Sequence, residues 1–141
     1  MAGICCSAED LWITAATVWG EARGESRAGQ YAVAWVIRNR QALHPRWQGK
    51  SLAAICRARA QFSPWGNAPT RALLEEVSLD TPSFVACLQA TVAVLGDLVP
   101  CNVGASTHFY APAGVKTPPR WAQGKTPYAT IGGHRFYEGI A

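Results

Sequence analysis

The chain has 141 residues, 49% of them hydrophobic and only 16% charged, which excludes a disordered chain and fits one domain with a core of its own. Its net charge of +4 and pI near 9.0 point to a polyanionic partner such as nucleic acid, an anionic cell envelope or an acidic membrane surface, without choosing among them. Nowhere do 18 uninterrupted apolar residues occur, so no transmembrane helix is expected, and "MAGICCSAEDLWITAA" lacks the basic leader of a secretory signal.

In chain order, Ser7 with Asp10 three residues on reads as a variant capping box, and Leu11, Ala15, Val18 and Trp19 then recur at helical spacing. Gly20 and Gly24 are read as the end of this helix. A second helix is expected through "RAGQYAVAWVIRNR", with Ser26 as a candidate cap; "YAVAWVI" is apolar on every side and marks it as the central buried helix. Ser51 is expected to cap a short helix through "LAAICRARA", and Thr70 one through "RALLEEVSL". Thr81 followed by Pro82 starts a last helix that Gly96 closes. Beyond Pro100 the chain turns to Gly, Pro, Thr and aromatics. There "GASTHFYAP" and "YATIGGHRFYEG" are expected to form a small hairpin or sheet across a long Pro-rich connection. The expected architecture is α+β, mainly helical with a small C-terminal β portion, as a single domain over 1–141.

Five cysteines (Cys5, Cys6, Cys56, Cys87, Cys101) cannot all pair within one chain, and none has Cys-x-x-Cys spacing. Reduced thiols are expected, with Cys56 and Cys87 as small buried residues; a Cys87–Cys101 bridge is the alternative.

The chemistry begins at "TVWGEARGES". Glu21 follows Val18, Trp19 and Gly20, and apolar surroundings raise a carboxyl's pKa until it holds a proton near neutral pH, as a general acid must. The competing reading is a surface pair with Arg23 or Arg27. Glu25 is a possible second carboxylate, although an acid at the start of the next helix explains it as well. Glu21, Glu25, His108 and His134 could ligate zinc chemically, but no clustered spacing supports a metal site and none is expected, nor any cofactor. Phe109 and Phe136 are assigned to the core of the small sheet. Trp65 and Trp121, in Pro/Gly-rich loops, are assigned to a groove with polar Gln61, Ser63 and His108. Nucleic acid would suit the aromatics and the charge, yet no RNA- or DNA-binding signature is present and none is expected as partner.

Taken together, "VWGEARGESRAGQYAVAWVIRNR", "SLAAICRARAQFSPW", "GASTHFYAP", "PRWA" and "IGGHRFY" resemble the motifs of the SleB-type cell-wall hydrolases, in family order from about residue 18 to 137. The resemblance implies a lysozyme-like fold and cleavage of peptidoglycan glycan strands between N-acetylmuramic acid and N-acetylglucosamine. It implies Glu21 as the catalytic acid of a lytic transglycosylase, with Gln61, Ser63, Trp65, His108, Tyr110 and Trp121 about the substrate. Pro64 departs from the family motif. By analogy the chain is expected to be a monomeric phage-type endolysin, made without a leader in the host cytoplasm. It would be released by a holin and act on the wall in the periplasm. The rivals are muramidase hydrolysis with Glu25 or Asp80 as partner acid, a metal-dependent amidase using His108, His134 and a Glu, and an inactive glycan-binding module.

Overall fold

A computed structural model describes residues 6–58 and 61–141; Cys5 and the end of "RARA" lie outside the described residues. Helix α1 (Ala8–Ala22) opens on a true capping box: Ser7 Oγ accepts from the Asp10 amide at 3.0 Å, and Asp10 Oδ2 accepts from the Ser7 amide at 3.2 Å. Asp10 also reaches forward, its Oδ1 accepting from the Ala53 amide at 2.9 Å, so the same carboxylate ties the start of helix α3 (Leu52–Arg57) to α1. These bonds hold its pKa below the usual carboxylate range against the opposing, largest effect of desolvation.

Gly20 does not end α1, contrary to the sequence expectation; the helix runs on to Ala22. A Cβ on Gly20 would stand 3.1 Å from Leu74 Cδ2 and from Pro64 Cγ. The glycine therefore serves close packing, letting the single turn α4 (Ser63–Gly66) and helix α5 (Ala68–Glu76) lie against α1. The family-departing Pro64 occupies the first turn of α4, where a missing N–H costs nothing, and rests on that glycine. The α5 cap is Asn67, whose Oδ1 accepts from the Thr70 amide at 3.2 Å, and not Thr70 itself. An Asn before Ala-Pro outcompetes the later threonine because proline then falls within the first turn.

Helix α2 (Arg27–Leu43), capped by Ser26, is the central element: Ala32 through Arg40 are buried without interruption. Helix α6 (Pro82–Leu95) packs on both α1 and α2, and Cys56 and Cys87 are free, buried thiols among these helices. Exposed Cys101 is also free, so the alternative Cys87–Cys101 bridge is absent.

Three consecutive α2 residues fasten the chain that leads to the sheet. Arg38 Nη1 donates to the Val94 carbonyl at 2.7 Å and pairs with Asp97; Asn39 Nδ2 donates to the carbonyls of Gly104 and Ser106; Arg40 Nε donates to Thr107 O at 2.7 Å. Buried backbone carbonyls of a loop need donors, and these polar side chains of an otherwise apolar helix supply them.

The sheet has strands β1 (His108–Tyr110), β2 (Ala129–Ile131) and β3 (His134–Tyr137) in the order β1-β3-β2, both pairings antiparallel. Phe109 faces Phe136 across the β1–β3 pair, and Ile131 faces His134 at the β2–β3 turn. Gly132 takes φ +55 at the first turn position, as a two-residue hairpin of the II′ kind requires. Phe136 is fully buried and extends the helical core, whereas Tyr110, Ala122, Tyr137 and Ile140 form a second small cluster beneath Trp121. Two 3-10 turns, Pro112–Gly114 and Arg120–Ala122, shape the long connection from β1 to β2. Helices first and a small antiparallel sheet last is the α+β architecture expected.

Candidate active site

A cleft of about 430 Å³ opens where the helical body meets the sheet and its long connection. Glu21 enters from the last turn of α1, Arg40 from α2, Gln61 from the segment before α4, Phe109 and Tyr110 from edge strand β1, Trp121 from the second 3-10 turn and His134 from β3. Glu21 is the one acidic side chain on its walls among the described residues. It lies half-buried, and desolvation pushes its pKa up from 4.5 to about 7 against the opposing pull of the Arg40 cation. The surface pairing with Arg23 or Arg27 is not what forms: Arg23 stacks over the Trp19 ring at 4.4 Å, and Arg27 donates to the Ala86 carbonyl and to Gln89.

Arg40, which the sequence does not single out, is 3% exposed. Its guanidinium lies over the rings of Trp47 at 4.4 Å and Phe62 at 4.7 Å, and Nη1 donates to Gln61 Oε1 at 3.3 Å. Burial lowers its pKa to about 10, which leaves it a cation at neutral pH. It thus holds Gln61 toward the cleft while keeping positive charge beside Glu21. The polar run Arg38-Asn39-Arg40 after the apolar stretch of α2 is the sequence signal at this position, and by itself it gives Arg40 no role.

His134, chemically able to ligate a metal, lines the cleft from β3. Its ring stands edge-on to Phe109 at 5.2 Å, and its Nδ1 is buried with no hydrogen-bond partner. Burial lowers its pKa, so at pH 7 the 3.9 Å approach of Glu25 Oε1 meets a neutral imidazole. Glu25 itself does not line the cleft. Its Oε1 accepts from the Gly133 amide at 2.9 Å, and a Cβ on Gly132 would collide with that same oxygen. The candidate second carboxylate is therefore a clamp on the β2–β3 turn; Asp80, the other candidate, is exposed after α5 and lines no part of the cleft.

Gln61, Tyr110 and Trp121 meet Glu21 in the cleft. Tyr110 is stacked on Tyr137 at 6.0 Å, with its hydroxyl 3.4 Å from Arg135 Nη1, so its ring is fixed from behind. His108 lines an adjoining arm of the cleft instead, edge-on to Trp121 at 5.0 Å. Burial, with nearby cations, lowers its pKa to about 4, and it is neutral at pH 7. Trp65 departs from expectation. It is buried in the helical core, its Nε1 donating to Thr17 Oγ1 at 2.8 Å, because the α4 turn folds the ring inward onto α1. Ser63 begins α4, but its side chain lies outside the described residues. Phe136 is core as expected, while Phe109 is half-buried, packed on the core and also lining the cleft. Among the described residues no three His, Cys, Asp or Glu side chains gather about a common point.

A helical body, a small antiparallel sheet and an aromatic cleft between them make up the lysozyme-like architecture that the resemblance implied. Residues 24–137 match the cell wall hydrolase family, and the chain belongs to that family. The matched stretch begins just after Glu21. In fold the chain is similar to the catalytic domain of the germination-specific lytic transglycosylase SleB from Bacillus anthracis (21% identity, 94% of this chain and 96% of that chain, TM-score 0.72). It is likewise similar to the catalytic domain of the Bacillus cereus SleB protein (23% identity, 97% and 95% covered, TM-score 0.67). No curated protein sequence matches it.

Proposed function

We propose that this chain is a peptidoglycan lytic transglycosylase with Glu21 as its single acid and base. The carrying observation is that Glu21 alone among the described acids faces the cleft and has a pKa of about 7, protonated in part at working pH. A two-carboxylate glycosidase needs a second acid about 5–9.5 Å away across the scissile bond. Glu25 is committed to Gly133, which favours the one-carboxylate route.

In that route the Glu21 carboxyl gives its proton to the glycosidic oxygen as the bond from muramic acid C1 breaks. The departing N-acetylglucosamine end carries that proton away as a hydroxyl. The resulting carboxylate then takes the proton of the muramic acid 6-hydroxyl, whose oxygen attacks C1 and closes a 1,6-anhydro ring. Water is not consumed, and Glu21 ends protonated as it began. Tyr110 and Trp121 offer ring faces to sugars, and Gln61, held by Arg40, offers an amide for hydrogen bonding. The likeness to the B. anthracis lytic transglycosylase domain supports the reaction class, and the family supports the substrate. The basic charge suits an anionic wall, in keeping with the endolysin role, holin-dependent release and periplasmic site of action taken from the resemblance.

Mass spectrometry of soluble fragments released from purified sacculi tests the reaction. The reading requires anhydro-muropeptides, lighter by one water than the hydrolytic products. Reducing-end muramic acid would mean muramidase hydrolysis, free stem peptides an amidase, and binding without release a glycan-binding module. Host lysis is tested by expressing the chain with and without a holin: lysis in the presence of the holin only is the expected outcome.

A further inference from the structure

Beyond Gln61 the cleft continues into an arm of about 250 Å³ that shares Arg40, Gln61, Phe109 and Trp121 with the part containing Glu21 and adds Arg46 and His108. We propose that this arm is a subsite for a carboxylate of the substrate, one borne by the stem peptide or by the muramic acid lactyl group; it rests on the glycan-cleaving reading above.

Arg40 is the first reason. A buried cation is ordinarily paired, because desolvation of an unpaired charge is expensive. Yet Arg40 is 3% exposed and its contacts are the Thr107 carbonyl, the Gln61 amide oxygen and two aromatic faces. Among the described residues, neither Arg40 nor Arg46 has a carboxylate within 4.0 Å; no Asp or Glu side chain lines the arm, and Ala141, which also lines it, pairs its terminal carboxyl with neither arginine. The nearby Glu21 holds its own proton up to about pH 7 and so compensates Arg40 only in part. Arg46, exposed at the rim, lies over the Trp47 ring at 5.2 Å, so both arginines share one aromatic support. Neutral His108, its Nδ1 2.9 Å from Thr107 Oγ1, adds hydrogen-bonding capacity without another charge. Two guanidiniums facing one polar pocket that no side chain neutralises fit a carboxylate, which arginine binds through paired N–H donors.

Peptidoglycan presents two such groups. Stem carboxylates are present on intact strands, while the lactyl carboxylate is freed only where an amidase has removed the stem. The test is co-sedimentation and turnover of wild type and Arg46→Gln on three teichoic-acid-free preparations: native sacculi, sacculi whose carboxyls have been converted to amides, and amidase-stripped glycan. Arg71→Gln, at an exposed position of α5, is the control for net charge, and Arg46→Lys for retained charge at the rim. If stems are the source, Arg46→Gln weakens binding to native sacculi by about fivefold, with the difference gone on amidated and stripped material. If the lactyl group is the source, the loss appears on stripped glycan alone. In both cases Arg71→Gln binds as wild type and Arg46→Lys recovers only part of the loss, because an ammonium restores the charge without the paired donors. Equal binding of wild type and Arg46→Gln on all three, or an equal loss in Arg71→Gln, overturns the subsite. Sedimentation that depends on Arg46 without release of glycan fragments by wild type would retain the subsite and overturn the glycosidase reading.

Discussion

Replacing Glu21 by Gln should stabilise the protein above pH 7 and leave it little changed at pH 4. Desolvation raises the Glu21 pKa from 4.5 to about 7, so between these values the native state keeps a proton that the unfolded chain has released. Native stability attached to this proton is fully present below pH 4.5 and lost as pH rises through 7. Above that, the folded protein carries a half-desolvated carboxylate, a penalty of up to about 3 kcal/mol. That figure already includes the pull of the Arg40 cation, and partial solvent access keeps the realised value nearer 2 kcal/mol, or a Tm gain of several degrees for a domain of this size. The assay is urea unfolding of both proteins at pH 4 and pH 8, followed by tryptophan fluorescence. The pH 4 pair measures whatever the amide changes in packing, and the excess at pH 8 measures the charge. A Gln variant no more stabilised at pH 8 than at pH 4 would refute the claim that the fold holds Glu21 protonated at a cost.

The same ionisation predicts that kcat/KM falls above about pH 7, checked by a pH–rate profile on labelled sacculi. Trp65→Phe removes the Thr17 hydrogen bond and should lower stability by about 1–2 kcal/mol while leaving KM unchanged; a raised KM with intact stability would return Trp65 to the groove. Glu25→Ala should loosen the β2–β3 turn, costing about 1–2 kcal/mol in denaturant and speeding amide exchange at Gly133. Gly20→Val forces α4 and α5 away from α1 and should cost about 1–3 kcal/mol by thermal unfolding.

Local rules carried most of the fold. Ser7, Ser26 and Ser51 cap where the sequence puts them, since a small side-chain oxygen before an apolar run satisfies amides within three residues. The unbroken apolar stretch of α2 could only be a buried centre. Other features depended on partners distant in sequence. Gly20 looked like a stop because its use is contact with Leu74 and Pro64, about 50 residues away. Trp65 looked like a groove residue because nothing local reveals that Thr17, buried on α1, has an acceptor for its indole. Within the candidate site, Glu21 was legible from its apolar flank. Arg40 and His134 were not, because a cation and an imidazole acquire meaning from the cleft that α2, β1 and β3 assemble together. Glu25 stayed open in the sequence between a second carboxylate and a helix-start acid, and its turn-clamping role depends on the two glycines facing it.

The most direct measurement is release of anhydro-muropeptides from sacculi by wild type and Glu21→Gln at pH 6, with both proteins shown folded by the unfolding curves above. Loss of the one carboxyl on the cleft walls among the described residues should reduce the rate by about 10²–10⁴-fold while binding to sacculi persists. A folded Glu21→Gln protein that releases anhydro products at the wild-type rate would contradict the assignment of the reaction to this carboxyl.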